Sequence, residues 1–186
     1  MATPKQDEIA TAHQKNMRVA LDEARKSPPK PTNFCVGACL VAPSSSGDGE
    51  LLVTGYTLEC EGNTHAEQSC FIKLSKQYGC NVGQLGEHLP GGTVLYTTME
   101  PCNKRSVGNT PCVDRIRALK TEDGRQAIDT VYVGVSEPEA FVGANEGKRK
   151  LEDAGIHVQH VPGLAEEILR VATAGHAETS SRGNER

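Results

Sequence analysis

The stretch TVYVGV–SEPEAFVGANEGKRKLEDAG–IHVQHV, residues 130–161, sets two short β-branched runs twenty residues apart. Runs of this composition read as strands. Two antiparallel neighbours need only a few linking residues, whereas parallel neighbours need a crossover of a dozen or more. The helix-forming segment from Asn145 to Ala154 fills that requirement, so strands 130–135 and 156–161 are expected to run parallel. Upstream, TVLYTTM (93–99) is a third strand of the same parallel set, and Pro111 opens a helix through about Lys120 on the way to it. Further upstream, FCVGACLVA (34–42) and LLVTGY (51–56) flank a short polar link from Ser44 to Gly49, the pattern of an antiparallel hairpin at the edge of a mixed sheet.

Helices are expected over about 6–26, ending at the breaker SPPKPT, over Thr64–Tyr78, and over Pro162–Ala174, with a glycine-rich loop before the third strand. The fold class that results is α/β, a three-layer α/β/α sandwich on a five-stranded mixed sheet. Residues 1–174 form one domain with no internal repeat, and the polar end, 175–186, is expected to be a disordered tail.

Composition narrows the function. The 186 residues carry a net charge of −4, and no basic run offers the face that displaces counterions from a polyanion, so no nucleic-acid partner is expected. No segment approaches the ~18 apolar residues of a membrane span, and MATPKQDEIATAHQK lacks the apolar core of an export signal. Seven unevenly spaced cysteines fit reduced thiols in a cytoplasmic setting better than a disulfide framework. Five of them, Cys35, Cys39, Cys60, Cys70 and Cys80, read as small buried hydrophobes.

His65-Ala66-Glu67, Pro101-Cys102 and Pro111-Cys112 read differently. One imidazole and two thiols are three soft ligands for Zn²⁺, a set that leaves the fourth tetrahedral position open. Glu67 stands where the zinc deaminases place the general acid/base. Taken singly, each residue has a plainer reading. Thr64 and Glu67 match a helix capping box, and the two cysteines could be core residues at element ends. Taken together, a His-x-Glu at one helix start, a Pro-Cys after a strand and a Pro-Cys at a second helix start point to a catalytic zinc. A helix N-terminus further favours the thiolate of Cys112. His13, His88, His157, His160 and His176 have no partner at ligand spacing, and Lys148-Arg149-Lys150 reads as a solvated helix face.

The nine residues between Cys102 and Cys112 depart from the short P-C-x-x-C of most zinc deaminases. With TMEPC (98–102), TPC (110–112), VGVSEP (133–138) and Ala154-Gly155-Ile156, the pattern resembles the riboflavin-pathway pyrimidine deaminases. Gly62 to Gln68 and Arg105 to Asn109 are most similar to the fungal branch. The resemblance implies a cytidine-deaminase-like fold and Zn²⁺ held by His65, Cys102 and Cys112, with Glu67 as catalytic acid/base. It also implies hydrolysis of the 2-amino group of 2,5-diamino-6-ribitylamino-4(3H)-pyrimidinone 5′-phosphate, a small phosphorylated pyrimidine. Asn33 matches the asparagine that contacts the pyrimidine, and the resemblance implies a homodimer. The inter-cysteine loop is one residue longer than the bacterial form, so its contacts do not carry over singly. Arg105, Ser106 and Asn109 are expected to face the substrate, ahead of Lys104, and Glu139 stands where the family often has Asn. The competing readings are a deaminase of dCMP or of tRNA adenosine, and a non-catalytic zinc domain or partner subunit.

Overall fold

The computed structural model describes residues 4–44, 49–136 and 146–176, with side chains from residue 11 onward. Five strands, β1 (Gly37–Ala42), β2 (Glu50–Tyr56), β3 (Thr93–Met99), β4 (Ile128–Val135) and β5 (His157–His160), form one sheet in the order β2-β1-β3-β4-β5. β1 is antiparallel to β2 and to β3, while β3, β4 and β5 are parallel. The expected hairpin edge and parallel set are therefore both present.

Side chains alternate across the sheet because a strand repeats every two residues. Ala38 and Leu40 of β1 meet Phe71 and Leu74 of helix α2 (Ala66–Tyr78), in a core shared with α4 (Cys112–Ala118) and α5 (Glu146–Asp153). Cys39 and Val41 face the other way, onto Met17 and Leu21 of α1 (Pro4–Ala24) and Ile168 of α6 (Ala165–Ala172). Covered on both faces, β1 is buried at every residue, which is why its sequence is a continuous apolar run rather than an alternation. α4, α5 and α6 have seven or eight residues each, too few to persist alone in water. Packing onto the sheet holds them, at about 1.5–3 kcal/mol for each fully buried large apolar side chain such as Ile116, Leu151 or Ile168.

Several boundaries differ from the sequence reading. β1 begins at Gly37 rather than Phe34. The preceding residues bond outside the sheet: Cys35 N–H donates to the Ala172 carbonyl at the end of α6 (3.0 Å), and Val36 N–H to Thr57 Oγ1 (3.2 Å). α6 starts at Ala165 rather than Pro162, because Gly163 occupies the left-handed region (φ 93°) and turns the chain. The glycine-rich loop contains a 3-10 turn, Val82–Gln84, capped by Asn81, and a short helix α3 (Leu85–His88) that buries Leu85. Cys35, Cys39 and Cys70 are buried as expected, but Cys60 and Cys80 are only half-buried because they sit in connections rather than in the sheet. His13 is paired with the Tyr96 hydroxyl (2.8 Å), while His157 and His160 are exposed on the edge strand. Glu137, Pro138, Glu139 and Asn145 lie outside the described residues. No helix among the described residues is long and apolar enough to cross a membrane.

Candidate active site

Three element ends converge beyond the carboxyl end of β3. His65 is the N-cap of α2, Cys112 is the first residue of α4, and Cys102 follows Glu100-Pro101 at the exit of β3. His65 Nδ1 lies 3.4 Å from the sulfur of Cys102 and 3.4 Å from that of Cys112. All three ligand atoms fall within 4.8 Å of one another. A tetrahedral zinc with ordinary Zn–S and Zn–N bonds needs a sulfur–nitrogen edge of about 3.5 Å, so this donor set fits the metal in both geometry and chemistry. The Cys112 N–H, at the start of α4, donates to the Cys102 sulfur (3.4 Å). The facing Cys112 thiol, then His65 and that amide, pull the Cys102 thiol down to about 4 against burial, while the facing sulfur and burial push Cys112 up.

Thr64 is not the N-cap that a capping box requires: His65 takes that position with no capping bond from its side chain, and Thr64 Oγ1 donates to the Cys60 carbonyl (3.2 Å). The carboxyl of Glu67 points into the site, 3 % exposed. Burial raises its proton affinity, as does the Cys102 sulfur, against the lowering effect of His65. A carboxyl held above its ordinary range can take up and return a proton near neutral pH, which a solvated glutamate does poorly. Thr97 Oγ1, in β3, lies 3.4 Å from Glu67 Oε1 and 2.9 Å from the Met99 carbonyl. Thr97 Oγ1 is thus within donating reach of both acceptors, the Met99 carbonyl being the nearer.

A cleft of about 380 Å³ opens over this centre. Asn33, Arg105 and Ser106, all singled out in the sequence, line it together with His65 and Glu67. Arg105 is braced: its guanidinium donates to Gln68 Oε1 (3.1 Å) and to the Asn63 carbonyl (2.5 Å), which ties the inter-cysteine loop to the segment bearing His65 and Glu67. Asn109 is exposed outside the lining and donates to Ser106 Oγ (3.1 Å). Lys104, ranked lower in the sequence, is in the lining. The sequence reading gave His176 no partner at ligand spacing and set it in the polar end, so its place in the cleft was missed. Its ring packs on Phe34 (centroids 4.7 Å apart), its Nε2–H donates to the Asn33 carbonyl (3.1 Å), and it lines the cleft. Gly175 also belongs to the packed structure, since a Cβ there would lie 2.4 Å from the Lys30 nitrogen. Residues 177–186 lie outside the described residues.

Residues 10–127 match the family described as the cytidine and deoxycytidylate deaminase zinc-binding region. The chain is 35 % identical over 164 residues to the diaminohydroxyphosphoribosylamino-pyrimidine deaminase of Schizosaccharomyces pombe, a match covering 88 % of this chain and 36 % of that protein, so it spans about a third of that relative's length. The Rib2 deaminase of Aspergillus oryzae, solved as a C-terminal deletion mutant at pH 4.6, superposes with a TM-score of 0.81 at 45 % identity, covering 91 % of this chain and 95 % of that one. A structure of the same deaminase in complex with DARIPP gives 0.80 at 43 % identity, covering 91 % and 94 %.

Proposed function

We propose that this chain, which belongs to the cytidine and deoxycytidylate deaminase family, hydrolyses the 2-amino group of 2,5-diamino-6-ribitylamino-4(3H)-pyrimidinone 5′-phosphate and releases ammonia. The observation that carries this reading is a buried carboxyl, Glu67, facing a three-ligand metal donor set at the floor of a cleft whose rim bears Lys104, Arg105 and Ser106. Such a floor suits attack of water on an amidine-type ring carbon, and such a rim suits a phosphate. The complex of the Aspergillus relative with DARIPP supports the same substrate class.

His65, Cys102 and Cys112 would hold Zn²⁺, which would supply Lewis acidity that makes a water easier to deprotonate near neutral pH. Two thiolates make that metal a weak acid-activator, so the neighbouring base matters. Glu67 takes one proton from the attacking water and delivers it to the ring nitrogen, then carries the water's second proton to the amine, which leaves as ammonia while the ring carbon keeps the oxygen. Asn33, beside His176, orients the ring through its amide. Lys104, Arg105 and Ser106 hold the phosphate end, with Asn109 supporting Ser106 from outside the cleft. The net charge of −4 supports a small substrate over tRNA. Seven free thiols support a reducing, cytoplasmic setting. The homodimer implied by the resemblance is part of this reading; sedimentation at the mass of one 19.9 kDa chain sets it aside.

The test is ammonia release by zinc-loaded protein offered the ribitylamino compound, its ribosylamino counterpart and dCMP in parallel. Turnover of the ribitylamino compound is the expected result. Preference for the ribosylamino form reverses the order of deamination and reduction, and turnover of dCMP alone refutes the substrate.

A further inference from the structure

Asn103, immediately after the metal ligand Cys102, is a polar side chain only 5 % exposed. A buried amide must find partners for both ends or destabilise the fold by about 1–3 kcal/mol. Both partners come from one helix. Asn103 Nδ2 donates to Glu146 Oε2 (3.0 Å), and Lys150 Nζ donates to Asn103 Oδ1 (2.8 Å). The charges fix the amide's orientation, because turning it over would set its oxygen against a carboxylate and its NH₂ against an ammonium.

The same helix approaches the ligand segment through its backbone. Gly147 is buried, and a Cβ there would stand 3.3 Å from Val113, 3.4 Å from the Pro101 carbonyl and 3.5 Å from Asn103 Cβ. Positions 147, 150 and 151 share one helical face, so the basic run 148–150 divides. Lys148 lies 3.8 Å from Glu152 on the solvent side, while Lys150 turns inward to Asn103. The solvated face read from the sequence is therefore half correct. From the other side, the Cys102 carbonyl accepts from Val113 N–H of α4 (3.2 Å). Pro101-Cys102-Asn103 is thus gripped by two helices, and the next two residues, Lys104 and Arg105, enter the cleft lining.

We infer that Asn103, clamped between Glu146 and Lys150, is a positioning residue that fixes the zinc ligand Cys102 and sets the direction in which Lys104 and Arg105 enter the cleft. The metal arm of this inference rests on the zinc donor set, whichever pyrimidine the enzyme takes, so it survives a failed substrate assignment.

The experiment measures zinc retention against a chromophoric chelator, with KM on the accepted substrate as a second readout. Asn103→Leu keeps the volume and removes both bonds; zinc retention falls at least tenfold, within the roughly 10–100-fold range for partners behind a metal ligand. Lys150→Met, at a half-buried position that leaves the core intact, gives a smaller loss in the same direction and a raised KM. Asn103→Asp sets a carboxylate against Glu146 and loses zinc as Leu does, while the double variant Asn103→Asp/Glu146→Gln restores retention to within about threefold, because the new amide donates where the old carboxylate accepted. A residue that served only packing would lower the melting temperature of the metal-stripped protein without this rescue. The inference is overturned if Lys150→Met and Asn103→Leu hold zinc within twofold of the parent with unchanged KM. It is equally overturned if the double variant is folded and no better than Asn103→Asp; should Asn103→Leu fail to fold, Lys150→Met and the rescue pair decide.

Discussion

Gly55, in β2, lies against the first turn of α2, the turn that carries His65 and Glu67. A Cβ at this position would stand 2.6 Å from the Ala66 carbonyl oxygen, 2.8 Å from the Cys70 sulfur and 2.9 Å from the Cys70 nitrogen. Two of those three neighbours are backbone, so no side chain can rotate away to relieve the overlap. Ordinary contact begins near 3.4 Å, and the helix turn must retreat by roughly 0.8 Å, the gap between 2.6 and 3.4 Å. Overpacking of this kind costs about 1–3 kcal/mol. In a domain of this size each kcal/mol lowers the melting temperature by about 2–4 °C, so Gly55→Ala is expected to melt about 2–12 °C below the parent. Its effect on turnover is larger than its effect on folding. A displacement near 1 Å of a reacting group costs about a hundredfold, so kcat is expected to fall by tens of fold with zinc still bound. Calorimetry of the zinc-loaded protein and ammonia release at saturating substrate measure the two effects. Gly91→Ala is the control, since a Cβ there meets nothing within 4 Å. A Gly55→Ala protein that melts within about 1 °C of the parent and turns over within twofold would refute the claim that backbone contact at this position places the helix.

Three further outcomes are expected. Glu67→Gln keeps the metal content and lowers kcat by about 10²–10⁴, or roughly 3–5 kcal/mol of barrier, read by metal analysis beside ammonia release; full activity in this variant ends the mechanism. Arg105→Lys loses the braced contacts to Gln68 and Asn63 and raises KM by about tenfold, since a point charge cannot replace the planar fork; an unchanged KM removes Arg105 from substrate recognition. Burial pushes the Cys39 thiol up to about 12, well above its unfolded value. The unfolded chain therefore loses that proton first, so the stability Cys39 contributes is present below about pH 8.5 and is lost as pH rises toward 12, at up to about 1.4 kcal/mol per pH unit. Cys39→Ala should flatten the alkaline limb of a denaturant-midpoint-against-pH curve, and an identical slope in both proteins contradicts it.

What the sequence determined by itself is local or periodic. The twenty-residue spacing between the runs at 130–135 and 156–161 demanded a crossover and hence parallel strands, and the runs 34–42 and 51–56 with their short polar link marked an antiparallel hairpin. The candidate metal site of His65, Cys102 and Cys112 was legible because ligand chemistry restricts residue type, and because helix starts and strand ends put those types at fixed offsets. The resemblance of TMEPC and TPC to one deaminase branch then identified the family that the comparisons show. What only the tertiary structure decided depends on segments distant in the chain. His176 reaches the cleft because the turn after α6 packs beside Asn33, 143 residues earlier, and no pattern around a histidine in a polar terminus encodes that. Lys150 and Asn103 meet across 47 residues, and a charged helix face looks the same in sequence whether it meets water or a buried amide. Glu67 shows the division within a single side chain: Thr64 and Glu67 fit a capping box locally, and the convergence of α2, β3 and α4 turns the carboxyl inward to the metal ligands instead.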